Sequence, residues 1–186
     1  MSETAAATIP DFARGSELLR GAYRLARFAH HGPRREGDTD IDHPVAVAEL
    51  LAAEGFDERV VAAALLHDVV EDTATEPGEI EERFGPEVAT LVREMTEDER
   101  IADYPERKAE HRARVAGDRR AAAIYAADKL ASARGKDGAA MPADQLDHYL
   151  ATLRTLCRTH PELPFLGELR AELERLVRDR EAARSG

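Results

Sequence analysis

Apolar residues recur at helical spacing through most of this chain, and no alternating strand pattern extends beyond a few residues. Leu19, Tyr23, Ala26 and Ala29 fall on one side of the first predicted helix, and Ser16 before them is a favourable N-cap. Glycine and proline then divide the remaining sequence into further segments of the same kind. The pattern predicts an all-α fold without internal repeats.

Start and stop signals place the boundaries of the predicted helices. Pro44 and Pro86 stand where a helix favours its first residue, whereas Asp57 and Asp118 are suited to cap the helices that follow them. A polar connector is predicted at 96–104. The predicted helices lie at about 16–31, 43–55, from 57 through the region 67–72, 75–85, 86–95, 105–116, 118–135, 144–159 and 166–182.

A length of 186 residues predicts one helical-bundle domain with a buried core. We expect a disordered tail at 1–10, which lacks a basic segment and a long apolar segment, followed by the domain at 11–186. No apolar run approaches the length of a membrane span. The single cysteine, Cys157, excludes an intramolecular disulfide and is typical of a reducing cytoplasm, where we expect the protein.

The net charge of −11 narrows the classes of partner. A nucleic-acid binder needs a basic face that neutralises phosphates, so this class is disfavoured, and nothing predicts a membrane partner. A small anionic substrate is compatible with the charge, because a metal ion and a few arginines can reverse the field inside a cleft. The sequence is also compatible with a homo-oligomer.

Residues 65–73 place four ionisable side chains in an otherwise apolar segment. On a helix that turns ~100° per residue, and with His67 at zero, Glu71 lies at ~40°, Asp68 at ~100° and Asp72 at ~140°. An imidazole and carboxylates that converge from a buried helix are typical of a metal centre, because a bound cation compensates the cost of buried charge. The alternative is an apolar helix whose last turn reaches solvent.

Three separate parts of the sequence offer metal ligands, namely His43 at a predicted helix start, the pair His67 and Asp68, and Asp128 within an apolar helix. Each alone is more often structural, as a hydrogen-bonded core histidine or as an aspartate in a cap or an ion pair. Together, two imidazoles and two carboxylates suit a divalent transition metal and leave positions for water and a substrate oxygen. Such ligands accept Mn, Fe, Co or Zn, so the metal is not identified by them.

The order of these residues resembles that in a known family. The series H…HDxxEDT…DK stands at His43–Ala48, Ala64–Thr73 and Ala127–Leu130, as HPVAVA, ALLHDVVEDT and ADKL. It resembles the HD-domain metal-dependent phosphohydrolases, and more narrowly the hydrolase domain of the RelA/SpoT alarmone enzymes and their small stand-alone homologues, including the metazoan form. The resemblance covers about residues 22–135, the motif-bearing core, whereas the C-terminal helices at 144–182 match loosely.

The resemblance implies a bundle of the HD-domain type with one divalent metal ion, usually manganese in the family, on the ligands His43, His67, Asp68 and Asp128. Glu71 and Asp72 match the family's catalytic acidic pair. We interpret Glu71 as the base that takes a proton from the attacking water, and Asp72 as its orienting partner. Alternatively, the pair holds a metal-bound histidine in place, which is itself a functional role.

Residues for substrate binding follow from the same resemblance. Arg35, or Arg34 because the loop length is ambiguous by one residue, matches a family arginine near the substrate. Lys129 and Arg134 match basic positions after the metal-binding aspartate, and Ser132 stands where the family has an asparagine near the substrate's sugar. Arginine suits bidentate contact with phosphate. The alternative for each cation is a surface ion pair in a chain rich in acidic residues.

Departures from the family pattern lie in the expected substrate wall, and none affects a metal ligand. Glu36 replaces a second basic residue, Asp40 replaces an aromatic, and Ala131 replaces another aromatic. A more acidic and less aromatic wall predicts weaker binding of guanosine tetraphosphate. The basic pair Arg107-Lys108 lies on a charged helix, and we expect it to belong to a solvated face; the alternative is that this helix borders the substrate pocket.

The most specific prediction is a metal-dependent HD phosphohydrolase that converts (p)ppGpp to GDP or GTP and pyrophosphate. One alternative, which the departures favour, is an HD phosphohydrolase that acts on a different nucleotide or small phosphoester. Another is a non-catalytic nucleotide or metal sensor, but a sensor would not need the intact Glu71-Asp72 pair. A purely structural helical protein would leave the buried charges of His67, Asp68 and Asp128 without a purpose.

Overall fold

The computed structural model describes residues 9–31 and 41–185, which form helices joined by turns and loops, with no strand in this part of the chain. A short 3-10 helix at Asp11–Ala13 comes first. The α-helices that follow are α1 (Glu17–His31), α2 (Asp42–Ala53), α3 (Glu58–Leu66), α4 (Val69–Asp72), α5 (Pro77–Phe84), α6 (Pro86–Met95), α7 (Tyr104–Val115), α8 (Arg119–Arg134), α9 (Ala143–Thr159) and α10 (Leu166–Ser185). These elements confirm the predicted all-α fold.

Two buried helices, α3 and α8, form the centre of the bundle. Every residue of α3 from Val60 to Leu66 is buried, and α8 is buried throughout 121–128. A helix that is apolar on all sides needs neighbours on all sides. Helix α3 accordingly packs against α1, α2, α6 and α8, while α8 also contacts α2, α6, α7, α9 and α10. A charged side chain within these buried segments, such as that of Asp128, therefore lies deep in the protein.

The helix boundaries follow the local signals of the sequence. The carboxylate of Asp57 accepts a hydrogen bond from the backbone N–H of Arg59 at 2.9 Å, and that of Asp118 accepts one from Arg120 at 2.7 Å. Gly85 adopts a φ of 85°, which glycine tolerates, and this allows α6 to begin immediately after α5 ends. The observed starts and ends lie close to the predicted ones because these signals are local.

The predicted continuous helix through His67 and Asp68 is wrong in one respect. Helix α3 ends at Leu66, a turn carries these two residues, and α4 begins at Val69. The imidazole Nδ1 of His67 lies 2.7 Å from the carbonyl oxygen of Ala64, which a continued helix would use for the backbone N–H of Asp68. The side chain therefore takes the place of a helical hydrogen bond, and the angles expected for a regular helix do not apply to this turn.

The N-terminal segment overlaps the described residues only in part. The expected tail at 1–10 includes Ile9, which packs against the core, and Pro10, whose carbonyl accepts a hydrogen bond from Ala13 at 2.9 Å. Residues 1–8 lie outside the described part. Within the described residues, no helix combines the length and apolar character that a membrane span needs.

Candidate metal centre and active site

Four predicted ligands from three places in the sequence meet at the centre of the bundle. His43 is the second residue of α2, His67 and Asp68 occupy the turn after α3, and Asp128 lies on α8. Because α2 packs against both α3 and α8, the two aspartates and two histidines are brought together. Nε2 of His43 lies 3.1 Å from Oδ1 of Asp128 and 4.0 Å from Oδ2 of Asp68.

The spacing of these atoms suits a single bound cation. One ligand atom each from His43, His67 and Asp128 lies within 4.8 Å of the other two. Nε2 of His67 is 3.0 Å from Oδ1 of Asp68 and 4.0 Å from Oδ1 of Asp128. Ligand atoms bound at about 2.0–2.2 Å from one ion are separated by no more than about 4.4 Å, so modest side-chain movement would close the shell.

The hydrogen bonding of His67 gives an independent reason for a cation. Its Nδ1 donates to the Ala64 carbonyl, so Nε2 carries the lone pair of the neutral ring. This Nε2 atom is buried and has no hydrogen-bond partner, although the Asp68 and Asp128 oxygens lie beside it in poor hydrogen-bond geometry. A lone pair facing carboxylates in a buried site requires a positive species between them. The ligand set therefore fits a divalent metal ion.

In the absence of a metal, a proton would fulfil this requirement. Burial by itself lowers the pKa of His67, but the charges of Asp68 and Asp128 outweigh it and raise the value to about 9. Burial also opposes ionisation of Asp128, yet Lys129 and the two imidazoles hold the pKa of that carboxyl well below its usual range. The aspartates are thus ionised at neutral pH, and the imidazole competes for a proton or a metal.

Lys129 contacts the outer carboxylate oxygen of Asp128, a predicted metal ligand. Its Nζ lies 2.7 Å from Oδ2 of Asp128 and packs over the rings of Tyr125 and Tyr149, at 4.7 and 5.5 Å from their centroids. Burial lowers the pKa of Lys129, but the charge of Asp128 outweighs this effect and the pKa stays well above its ordinary value. The predicted contact of Lys129 with substrate stays a prediction, since the structure shows its contact with Asp128.

Glu71 has the properties expected of a general base. Its side chain is mostly buried beside the cluster, and Oε1 accepts a hydrogen bond from the backbone N–H of Glu97. Burial is the main reason that the pKa of Glu71 rises to about 7, with a further increase from the charges of Asp68 and Glu97 and a decrease from the backbone hydrogen bond. A base of this pKa accepts protons near neutral pH. Asp72 ends α4 and is partly exposed, and its orienting role stays a prediction.

The residues predicted to bind substrate do not all lie at the cluster. Arg34 and Arg35, as well as Glu36 and Asp40, lie outside the described residues. Ser132 is close to the cluster, with Oγ at 3.4 Å from Oδ1 of Asp128. Arg134 instead pairs through its guanidinium with Glu168 of α10. The structure therefore places one of these predicted residues at the metal centre and directs another to a neighbouring helix.

The expected solvated face of α7 is wrong for its basic pair. The side chains of Arg107 and Lys108 are only 24% and 18% exposed, and both bind the carboxylate of Glu97. Arg107 Nε lies 3.0 Å from Oε2, and Lys108 Nζ donates to Oε1. Glu97 was not identified from sequence because it lies in a polar connector. Its contact with Glu71 links this ion-pair cluster to the candidate base.

A cavity of about 330 Å³ lies between α7 and α9, and apart from Lys108 its lining residues were not identified from the sequence. Arg112 donates from Nη1 to Nδ1 of His148 at 2.7 Å, and the other ring nitrogen of His148 lies 3.2 Å from the hydroxyl of Tyr125. Burial and then the charges of Lys129, Lys108 and Arg112 lower the pKa of His148 to about 2. The lining residues are Tyr104, Pro105, Lys108, Arg112, Asp144, Asp147, His148, Ala151 and Arg154. The lining therefore combines three basic side chains with two carboxylates.

Comparison with known proteins identifies similar sequences. The HD-domain family profile matches residues 22–153. Over 116 residues the chain is 37% identical to the guanosine-3′,5′-bis(diphosphate) 3′-pyrophosphohydrolase MESH1 of Drosophila melanogaster, which covers 60% of this chain and 65% of MESH1. Over 75 residues, 40% of this chain, it is 51% identical to the bifunctional (p)ppGpp synthase/hydrolase SpoT of Escherichia coli K12, of which it spans only 11%.

Solved structures extend the similarity over the rest of the bundle. The chain superimposes with a TM-score of 0.67 and 31% identity on a metazoan ortholog of SpoT, described as hydrolysing ppGpp, over 94% of this chain and 98% of the other. The protein lmo0812 from Listeria monocytogenes EGD-e gives a TM-score of 0.65 and 31% identity, over 73% and 99% respectively. Because the profile match spans most of the chain and all four ligand positions, this protein belongs to the HD-domain family.

Proposed function

We propose that the protein is a metal-dependent phosphohydrolase that removes the 3′-diphosphate of (p)ppGpp, giving GDP or GTP and pyrophosphate. The observation that carries the proposal is the buried Nε2 of His67, which faces two carboxylates without a hydrogen-bond partner, close to the base-like Glu71. Similarity to the 3′-pyrophosphohydrolase MESH1 and to SpoT supports the choice of substrate.

The residues that would hold the metal are His43, His67, Asp68 and Asp128. Nitrogen and oxygen donors of this kind accept several divalent metals, and we propose Mn²⁺ because it is usual in the family. A bound divalent ion would lower the pKa of a water in the site and polarise the phosphoryl oxygen of the substrate. Lys129 would fix Asp128 by binding the oxygen Oδ2.

The proposed reaction is a displacement at the phosphorus attached to the 3′ oxygen. Glu71 accepts a proton from water as the water oxygen forms a bond to this phosphorus. The bond between phosphorus and the 3′ oxygen breaks, and the 3′ oxygen takes up a proton to become the hydroxyl of GDP or GTP. One water is consumed for each pyrophosphate released, so the balance needs no other reactant.

The remaining phosphate charge requires donors outside the metal ligands. Arg112 and Arg154 line the cavity between α7 and α9, and neither forms an ion pair within the part of the chain that the structure describes. In a chain with 37 acidic residues, guanidinium groups without a carboxylate partner on a concave surface suit an anionic ligand. We propose that these two arginines bind phosphate groups of the substrate, alongside the Arg34 or Arg35 contact proposed from the family.

Release of pyrophosphate from ppGpp by the manganese-loaded protein tests the proposal. We expect turnover by the wild type, and loss of turnover in Asp68→Ala. Asp11→Ala is a matched control, because Asp11 pairs with exposed Arg14 near the N-terminus and lies outside the cluster. Manganese binding without turnover would overturn the substrate assignment, whereas failure to bind any divalent metal would overturn the metal centre itself.

A second candidate function is hydrolysis of a different nucleotide phosphoester. Two observations favour it, since the asparagine expected near the sugar is Ser132 and the cavity mouth carries the carboxylates of Asp144 and Asp147. Such a wall would accept hydroxyl or amino groups of a ligand more readily than additional phosphates. Assay of a panel of nucleoside 3′- and 5′-phosphates under the same conditions separates the two candidates by their kcat/KM values.

A further inference from the structure

Glu97 contacts the candidate base through its backbone and two cations of α7 through its side chain. It lies between α6 and α7, and its backbone N–H donates to Oε1 of Glu71, while its carboxylate accepts hydrogen bonds from Arg107 and Lys108. His111 lies 3.9 Å from the same carboxylate. The backbone of one residue thus contacts the candidate base, and its side chain is bound by the next helix.

The connector around Glu97 is held in place by arginines of α7. Arg114 donates to the backbone carbonyls of Thr96 at 2.8 Å and Glu94 at 2.9 Å. Arg107 donates to the carbonyl of Ile101 at 2.9 Å as well as to Glu97. Contacts from α7 therefore fix the backbone immediately before and shortly after Glu97. The N–H that points at Glu71 is consequently part of a rigid segment.

The carboxylate of Glu97 is suited to this anchoring role. Its side chain is only 16% exposed, and burial raises its pKa, but hydrogen bonds and charge from Lys108 and Arg107 outweigh burial and keep the pKa below its ordinary value. The group is therefore ionised at neutral pH. Replacing it with a neutral group would leave two partly buried cations without their anion, which weakens the anchor.

The contact also has a consequence for the geometry of Glu71. With Oε1 held by a backbone donor, the carboxylate has a defined rotamer, and Oε2 has no bonding partner among the described residues. Oε2 is then the oxygen that can accept a proton from water. A general base must lie within hydrogen-bond reach of the proton it removes, so loss of this orientation lowers the rate of the chemical step.

We propose that Glu97 is a positioning residue that orients the Glu71 carboxylate through its backbone N–H, with its own carboxylate anchored by Arg107 and Lys108. The inference rests on the role of Glu71 given under Proposed function. It assigns a catalytic purpose to the ion-pair cluster, which would otherwise serve only to join α6 to α7.

Glu97→Gln in the full-length, manganese-loaded protein tests the proposal, because it removes the charge and keeps the shape. We expect kcat for ppGpp to fall about tenfold or more while KM changes less than about twofold, since substrate binding does not involve Glu97. Arg107→Met, which removes one of the two anchors and leaves the lining of the α7–α9 cavity unchanged, should have a smaller effect in the same direction. Glu106→Gln is the matched control, because it removes an exposed carboxylate from α7.

An NMR measurement separates positioning from a merely structural role. In the metal-free wild type, the amide resonance of residue 97 should follow the titration of Glu71, and in metal-free Glu97→Gln this dependence should weaken. Unchanged coupling, or weakened coupling with unchanged kcat, would overturn the inference. If the wild type shows no turnover, the proposed function fails, and the amide titration still decides whether Glu97 orients Glu71.

Discussion

The ammonium group of Lys129 lies 2.7 Å from Oδ2 of Asp128, and the other oxygen of that carboxylate, Oδ1, lies 3.1 Å from His43. Oδ2 of Asp128 therefore binds Lys129, whereas Oδ1 faces the candidate metal site. Stacking of Lys129 over Tyr125 and Tyr149 holds the ammonium in place. Lys129 thus fixes the orientation of the neighbouring Asp128, which we propose as a metal ligand.

Lys129→Met should weaken metal binding. Without the ammonium, Asp128 can rotate and its charge is partly uncompensated, and loss of such an outer partner lowers metal affinity by about 10- to 100-fold. Isothermal titration with Mn²⁺ measures the change. Lys136→Met is the control, since this lysine lies beyond α8 and away from the cluster. Equal affinities for wild type and Lys129→Met would show that Asp128 does not depend on this contact.

Without the metal, the free energy of unfolding should decrease as the pH rises into the alkaline range. The pKa of His67 rises from 6.5 to about 9 on folding, so the proton stabilises the metal-free protein fully below pH 6.5 and is lost as the pH rises through about 9. The change amounts to roughly 3 kcal/mol in the free energy of unfolding. Urea unfolding of EDTA-treated protein between pH 6 and 10 measures it.

The comparison variant for this experiment is His67→Gln, which cannot bind the proton and should give a flatter pH profile than the wild type. Mn²⁺ should likewise flatten the wild-type profile, because the metal replaces the proton. Identical slopes for wild type and His67→Gln without metal would contradict the assignment.

The acidic limb of the pH–rate profile should report Glu71. A carboxyl group with a pKa of about 7 acts as a base only when deprotonated, so kcat should rise as the pH increases through about 7. A bound cation stabilises the ionised form of Glu71 and therefore lowers its pKa. The limb can then move only to lower pH. Glu71→Gln should lower kcat by about 10²- to 10⁴-fold and remove the limb.

Measurement of kcat against pH for both proteins, with Mn²⁺ occupancy checked by metal analysis, tests this prediction. Asp72→Asn, the variant of the expected orienting partner, should retain the limb and lose less activity than Glu71→Gln. Full activity of Glu71→Gln with metal bound would assign the base to another residue.

Much of the fold could be predicted because its signals are local. Asp57 and Asp118 cap helices through hydrogen bonds to residues two positions away, and such signals do not depend on the remaining chain. The break after Leu66 could not be predicted in this way, because it depends on the imidazole of His67 taking the Ala64 carbonyl. The side-chain hydrogen bond of His67 there takes the place of a regular helical hydrogen bond.

The site was predictable only where residue type and order carry the signal. Two histidines and two aspartates in an apolar context indicate a metal centre, and the packing of α2, α3 and α8 brings them together. Glu97 and Arg112 have no such signal, because charged residues in a connector and on a charged helix are usually solvated. Their roles arise from the packing of α7 against α6 and α9, which no short sequence pattern specifies.

Arg112→Gln and Arg154→Gln should weaken substrate binding while leaving the chemical step largely intact. Both arginines line the α7–α9 cavity, and loss of one charged hydrogen bond to phosphate costs about 1.5–3 kcal/mol, which corresponds to about a 10- to 150-fold rise in KM. Arg112 also donates to His148, so its variant should show the larger change. Steady-state kinetics with ppGpp gives KM and kcat separately.

Arg158→Gln is the control for this prediction, because Arg158 lies one turn further along α9 and outside the cavity lining. Since the contact is electrostatic, the KM of the wild type should also rise with salt concentration. The rise should be steeper than for the variant that carries both Arg112→Gln and Arg154→Gln. A fall in kcat at constant KM would instead place these arginines in the chemical step. An unchanged KM in both variants would show that the substrate does not bind in this cavity.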